Sequence, residues 1–219
     1  MQEKLIYPSL LGFDLLIVQP IIKRLDSVCP GYHIDIMDGH FVPVISGEVA
    51  LANLVVSESS RTHQWVHLMV DFPQSYLKSL LVWPGSIISF HFESKNEVLG
   101  VIKTIKEKKW KASVAISPKT AVDKVFPFLN ILDQVLVMSV DPGAAGQSFL
   151  PEIFEKVQTL VAYRDTSKLP FRIGIDGGVN AENINKLAQL GVDDFAISSA
   201  IFKRGDPVEA LEILQALLK

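Results

Sequence analysis

The stretch His33-Ile34-Asp35-Ile36-Met37-Asp38 governs how the rest of the chain is read. On a strand, residues two apart face the same side, so His33 and Asp35 project together. An ionisable group inside an apolar strand is costly to bury unless it is paired or bound to a metal. Two of them on one face therefore imply a shared destination.

Working outward, seven other runs read as strands: Leu5–Ser9, Trp65–Val70, Ile87–Phe92, Ala112–Ile116, Val135–Ser139, Arg172–Asp176 and Phe195–Ser198. Several are apolar at nearly every position, as a parallel strand covered on both faces requires. Helical patterns separate them. Pro73 suits a first helical turn and opens one such stretch, and Asn96–Lys109 carries Val98, Leu99, Ile102 and Ile105 on one face. Pro151–Tyr163 is a third. Asn180 is placed to cap Ala181–Leu190, which Gly191 ends, and Asp206-Pro207 starts a helix over Val208–Leu218. Pro20 interrupts Leu15–Leu25, and Asp123–Leu129 is short and contains Pro127.

This alternation suits a barrel or a doubly wound open sheet, and periodicity does not choose between them. No Gly-x-Gly-x-x-Gly follows the first run, which disfavours a dinucleotide site. The ionisable and small polar residues decide for a barrel, whose active site lies at the C-terminal strand ends. Ser9, His33, Asp35, Asp38, His67, His91, Glu93, Ser139, Asp141, Asp176, Ser198 and Ser199 all fall at or near such ends. Taken singly, a buried histidine is more readily a hydrogen-bonded core residue. Taken together, the imidazoles of His33 and His67 and the carboxylates of Asp35 and Asp176 make a competent shell for one divalent metal, with zinc, iron(II), manganese or cobalt all suitable.

Asp141-Pro142-Gly143-Ala144-Ala145-Gly146-Gln147, Gly177-Gly178 and Ser198-Ser199 follow three late strands. Small residues there expose backbone N–H groups, which bind phosphate without a basic side chain. Met37, Met69 and Met138 end strands and read either as core fillers or as an apolar cap that keeps water from the metal. His40 and His63 read as loop residues, His91 and Glu93 as supporting groups at most, and Cys29 as a small apolar filler.

Composition sets the outer limits. The chain has 219 residues, 48% of them hydrophobic, which supplies one large core. A net charge of -3 argues against nucleic acid, whose binding needs a basic face. One cysteine rules out an intrachain disulfide and fits a reducing compartment. The N-terminal residues lack a signal-peptide pattern, and no apolar run approaches the roughly 18 residues of a spanning helix. The expectation is a soluble, cytoplasmic protein with no membrane partner.

Five blocks resemble the ribulose-phosphate 3-epimerase family: Pro8–Leu11, His33–Pro43, His67–Met69, Val137–Gln147 and Ile175–Asn180, in the family's order and at its spacing. The resemblance implies an α/β fold, a single (β/α)8 TIM barrel of the ribulose-phosphate-binding type over residues 1–219. It implies His33, Asp35, His67 and Asp176 as metal ligands, with Asp35 and Asp176 as the acid/base pair of a two-base proton transfer at C3. Ser9 would contact substrate, with His67 beside it. Gly143, Ala144, Ala145, Gly146, Gly177, Gly178, Ser198 and Ser199 would hold the phosphate. Homo-oligomers are common in the family. The chain departs from the family's usual pattern at Val44, Ala144, Ser198 and Gly12-Phe13-Asp14, none of which removes a ligand or base. Asp141 before Pro142 also resembles the allulose-6-phosphate 3-epimerases, which gives an alternative substrate. A non-catalytic sugar-phosphate binder is the alternative of another class. Strand 2 lacks the lysine that an orotidine-phosphate decarboxylase-like barrel needs.

Overall fold

The computed structural model describes residues 3–11, 15–46, 48–144, 146–203 and 205–218. In chain order the first half holds β1 (Leu5–Pro8), α1 (Leu15–Leu25), β2 (His33–Asp38), β3 (Ile45–Ser46), α2 (Val49–Glu58), β4 (Trp65–Met69), α3 (Pro73–Leu77), β5 (Ile87–His91) and α4 (Val98–Glu107). The second half holds β6 (Lys111–Ile116), a 3-10 helix (Val122–Phe128), β7 (Gln134–Met138), α5 (Ile153–Ser167), β8 (Arg172–Asp176), α6 (Ile184–Leu190), β9 (Asp194–Ile197), α7 (Ser199–Phe202) and α8 (Pro207–Ala216).

The strands form one sheet in the order β1-β9-β8-β7-β6-β5-β4-β2-β3, parallel throughout except for the short β3 on β2. A parallel bridge between Ser9 and His33, with Leu10 N–H donating to the His33 carbonyl at 3.0 Å, joins β1 to β2 and closes the ring. The fold is a (β/α)8 barrel. Outward side chains such as Ile34, Val66, Phe90 and Val137 pack beneath the helices in the main core. Inward ones, including Tyr7, Trp65, Ile87, Leu136 and Ala196, make a separate cluster inside the barrel.

From Trp65 of that cluster a buried polar chain runs across the strands to β9. Trp65 Nε1–H donates to Ser89 Oγ, Ser89 to Ser113 Oγ and Ser113 to Gln134 Oε1, each at 2.8 Å. Gln134 Nε2 then donates to Asp194 Oδ2 at 2.8 Å, and the Arg172 guanidinium grips both Asp194 oxygens at 2.8 and 2.5 Å. Burial raises the Asp194 pKa, and Arg172 opposes the shift.

Several local expectations change. β7 begins at Gln134 and β9 at Asp194, one residue earlier than the apolar runs suggest, because this chain satisfies both polar side chains. α1 runs through Pro20. The hydrogen bond that proline lacks is offset by the buried face of Val18, Ile22 and Leu25. α2 was not foreseen. α6 starts at Ile184, not Ala181, since Asn180 spends its side chain on an earlier turn, accepting from Glu182 N–H at 2.8 Å.

Candidate metal and substrate site at the barrel mouth

Register brings the polar strand ends together. β2 and β4 pair with Asp35 opposite His67, so His33, Asp35 and His67 lie side by side on the inner face. Asp176 ends β8, three strands round the ring from β2. His33 Nε2 lies 3.1 Å from Asp35 Oδ1 and 3.6 Å from Asp176 Oδ2. His67 Nδ1 lies 3.0 and 3.4 Å from the same two atoms. All four donor atoms fall within 4.8 Å of one another. Ser9 Oγ–H donates to the second Asp35 oxygen at 3.1 Å.

The electrostatics call for a cation. Burial disfavours charge on all four groups, yet mutual attraction outweighs it. The carboxylates raise the His33 pKa to about 10 and raise that of His67, while the histidines lower those of Asp35 and Asp176. Among the described residues neither carboxylate pairs with a lysine or arginine. A buried carboxylate, a partly buried one and two buried imidazoles, with no fixed positive charge, fit a divalent ion. Ligands about 2.1 Å from one ion stand roughly 3.0–3.5 Å apart, close to the separations present. Among the described residues His33 Nδ1 has no hydrogen-bond partner, and its ring stands edge-to-face on Trp65 with centroids 4.6 Å apart.

A small cavity opens above the cluster. Asp35 and Asp176 reach it, as does Ser9, whereas His33 and His67 stand behind them, fully buried. His67 is thus placed toward the cluster and not along the cavity wall. Met37, Met69 and Met138 line the cavity and are each 2% exposed, so one set of side chains both fills core and roofs the carboxylates.

The cavity's other wall is built from small residues: Gly143, Ala144, Gly146, Gly177, Gly178, Ser198 and Ser199. Ala145 lies outside the described residues. Gly177 and Gly178 take φ of 114° and 63°, and a Cβ on either would fall 2.4 Å from Val140 or from the Phe149 backbone. Only glycine lets the chain pass there. Among the described residues the N–H groups of Gly143, Ala144, Gly146, Gly177 and Gly178 find no acceptor. Ser139 N–H and Oγ–H both donate to the Asp176 carbonyl, at 2.8 and 2.9 Å, and pin this wall to β7.

Other residues fall where their chemistry suggests. Asp38 accepts from the N–H groups of His40, Phe41 and Asp71, each at 2.8 Å, and fixes loops. His40 and His63 are exposed. Cys29 is buried, which pushes its thiol up to about 11 and leaves it inert. His91 was undervalued by the sequence reading. It is fully buried with Nε2 3.0 Å from His67 Nε2, and its Nδ1 lies 3.1 Å from Glu93. Burial, reinforced by His67, pushes its pKa down to about 4. The available signal was His-x-Glu at the end of β5.

Fold and site together define a (β/α)8 barrel with a two-histidine, two-carboxylate group at its mouth able to hold a metal ion. The chain belongs to the ribulose-phosphate 3-epimerase family, an isomerase family whose model matches residues 5–202. It is 32% identical over 214 residues to the ribulose-phosphate 3-epimerase of Mycobacterium leprae (strain TN), covering 96% of this chain and 93% of that one. It is 32% identical over 220 residues to that of Escherichia coli (strain K12), covering 100% and 97%. Its backbone is similar to the crystal structure of 3-hexulose-6-phosphate synthase from Salmonella typhimurium, with a TM-score of 0.71 at 14% identity over 98% of each chain, a likeness of fold alone. No helix among the described residues is long and apolar enough to cross a membrane.

Proposed function

We propose that this chain is a metal-dependent 3-epimerase that interconverts D-ribulose 5-phosphate and D-xylulose 5-phosphate, a cytoplasmic step of the pentose phosphate pathway. The observation that carries the reading is the pair Asp35 and Asp176, which meet at the cavity floor from strands three apart round the barrel. Inversion at one carbon needs two proton-transfer groups, one for each face. The C3 proton of a 2-keto sugar is acidified by the neighbouring carbonyl. One aspartate removes it, and the other returns a proton to the opposite face. The two must alternate, so they act as a coupled pair.

His33, Asp35, His67 and Asp176 would hold the divalent ion, which when bound supplies positive charge for the oxygens of the enediolate. Ser9 steadies Asp35 through its hydroxyl and borders the substrate. Met37, Met69 and Met138 keep water from the reacting carbon. The unpartnered N–H groups of the glycine-rich wall suit the phosphate. The same reading includes assembly into homo-oligomers, for which exposed Ile45, Leu81 and Trp83 offer apolar surface, checked by light scattering on the purified protein.

The test is NMR in deuterated water on metal-loaded protein. Ribulose 5-phosphate is expected to gain deuterium at C3 and give xylulose 5-phosphate. Preference for allulose 6-phosphate would keep the chemistry and change the substrate. No exchange with either would overturn the reading.

A further inference from the structure

Behind the mouth cluster three ionisable side chains stand in line. His67 turns Nδ1 toward Asp35 at 3.0 Å and Nε2 toward His91 Nε2 at 3.0 Å. His91 Nδ1 lies 3.1 Å from Glu93 Oε2. The other Glu93 oxygen accepts from Ser117 N–H at 2.9 Å and from the Thr120 hydroxyl. Lys156 Nζ holds that loop by donating to the carbonyls of Ser117, Pro118 and Thr120 at 2.9, 2.7 and 2.7 Å.

Two hydrogen arrangements are open to a pair of neutral imidazoles joined through their Nε2 atoms. In one, His91 donates to His67. His67 then carries its hydrogen on Nδ1, closed to a metal, and His91 turns a bare Nδ1 at the Glu93 carboxylate, lone pair against anion. In the other, Glu93 accepts from His91 Nδ1–H, His91 Nε2 is bare, and His67 donates from Nε2. Each arrangement sets one bare nitrogen against a carboxylate, His91 Nδ1 against Glu93 in the first and His67 Nδ1 against Asp35 in the second, and only the second conflict lies in the cluster, where a bound cation would relieve it. Hydrogen bonds from His91 and Thr120 overcome the burial of Glu93 and hold its carboxyl near 2, so it is an acceptor only.

We infer that Glu93 and His91 are positioning residues, with Glu93 fixing, through His91, the tautomer in which His67 offers a bare Nδ1 to the barrel mouth. The inference rests on the metal-site reading above. Partners of this kind typically carry 10–100-fold in metal affinity.

Glu93→Gln tests it with almost no change of shape. The one oxygen of the glutamine is claimed by Ser117 N–H, which leaves its NH2 group facing His91 Nδ1 and reverses the relay. Zinc affinity, measured on the full chain by competition with a chromophoric chelator, is expected to fall about 10–100-fold. His91→Phe is expected to fall as far. His91→Gln can accept from His67 and donate to Glu93, and should recover most of the affinity. Histidine 15N correlation spectra of the zinc-loaded parent should show His67 with hydrogen on Nε2 and metal on Nδ1. Unchanged zinc affinity in Glu93→Gln, or His67 protonated on Nδ1 in the parent, would overturn the relay while leaving the metal site standing. A parent protein that binds no zinc would overturn both. If His91→Phe does not fold, Glu93→Gln and the parent spectrum decide.

Discussion

The same strands carry two polar regions, and they are built on opposite principles. At the floor, Trp65, Ser89, Ser113, Gln134, Asp194 and Arg172 pass hydrogen bonds from one to the next, and the buried carboxylate faces a guanidinium. At the mouth, two residues beyond Trp65 on β4 and four beyond Arg172 on β8, two carboxylates share a pocket with two histidines, and among the described residues no lysine or arginine pairs with either. The floor is complete as it stands. The mouth is left short of a positive charge and open to a cavity. A satisfied network fixes one structure, whereas an unsatisfied one is poised to bind.

If that division holds, changes at the mouth cost activity and changes at the floor cost stability. The largest effect should come from Asp176→Asn. Losing one positioned acid/base group is expected to cut kcat about 10²–10⁴-fold in a coupled assay of epimerisation. The melting temperature of the metal-free protein should fall only slightly, because partly exposed Asp176 loses its attraction to His33 and His67 together with its repulsion from Asp35. Activity near that of the parent would remove Asp176 from the proton-transfer pair.

Asp194→Ala is the mirror experiment. It takes the carboxylate from the Arg172 guanidinium and the acceptor from the Gln134 amide, and breaking a buried pair costs about 3 kcal/mol. Urea unfolding should show the loss, with kcat of the folded fraction retained. A fall in kcat without a fall in stability would merge the two regions into one.

Metal supply separates them in a single measurement. An ion that binds only the folded state at 100 times its Kd adds about 2.7 kcal/mol of stability. Zinc or manganese should raise the melting temperature of the parent and of Asp194→Ala alike, and do far less for Asp176→Asn. An equal rise in all three would mean that the ion binds elsewhere.

The two regions also differ in how far the sequence reveals them. The meeting of His33, Asp35, His67 and Asp176 was legible because ionisable residues inside apolar runs have few affordable destinations. The floor was not. Gln134 and Asp194 sit at strand starts, where a polar residue reads as the end of a loop, and Ser89 and Ser113 are small enough to pass as strand filler. Their partners come from neighbouring strands, so only the closed ring puts donor beside acceptor. The His91–Glu93 spacing could be read, but not that His67 would turn its second nitrogen to it. Among helices, α2 was missed because Val49–Glu58 is apolar on more than one side and shows no clean stripe.

Trp65 is where the division is most exposed, since its ring touches both regions. Its Nε1–H starts the floor chain at Ser89, while its ring packs against His33 at the mouth. Trp65→Phe keeps an aromatic ring but drops the donor and part of the volume. The missing bond and the small void lie on the floor side, where Gly174 leaves room for the indole. Stability should therefore fall by about 1–3 kcal/mol in urea unfolding. The mouth loses only an edge-to-face neighbour of His33, whose Nε2 is held by Asp35 and Asp176. Turnover should then stay within about twofold, the scatter expected of independent sites. A kcat that falls tenfold or more, on the order of 1.4 kcal/mol, would show that His33 is aimed from below by the indole. The floor would then be part of the machinery it supports.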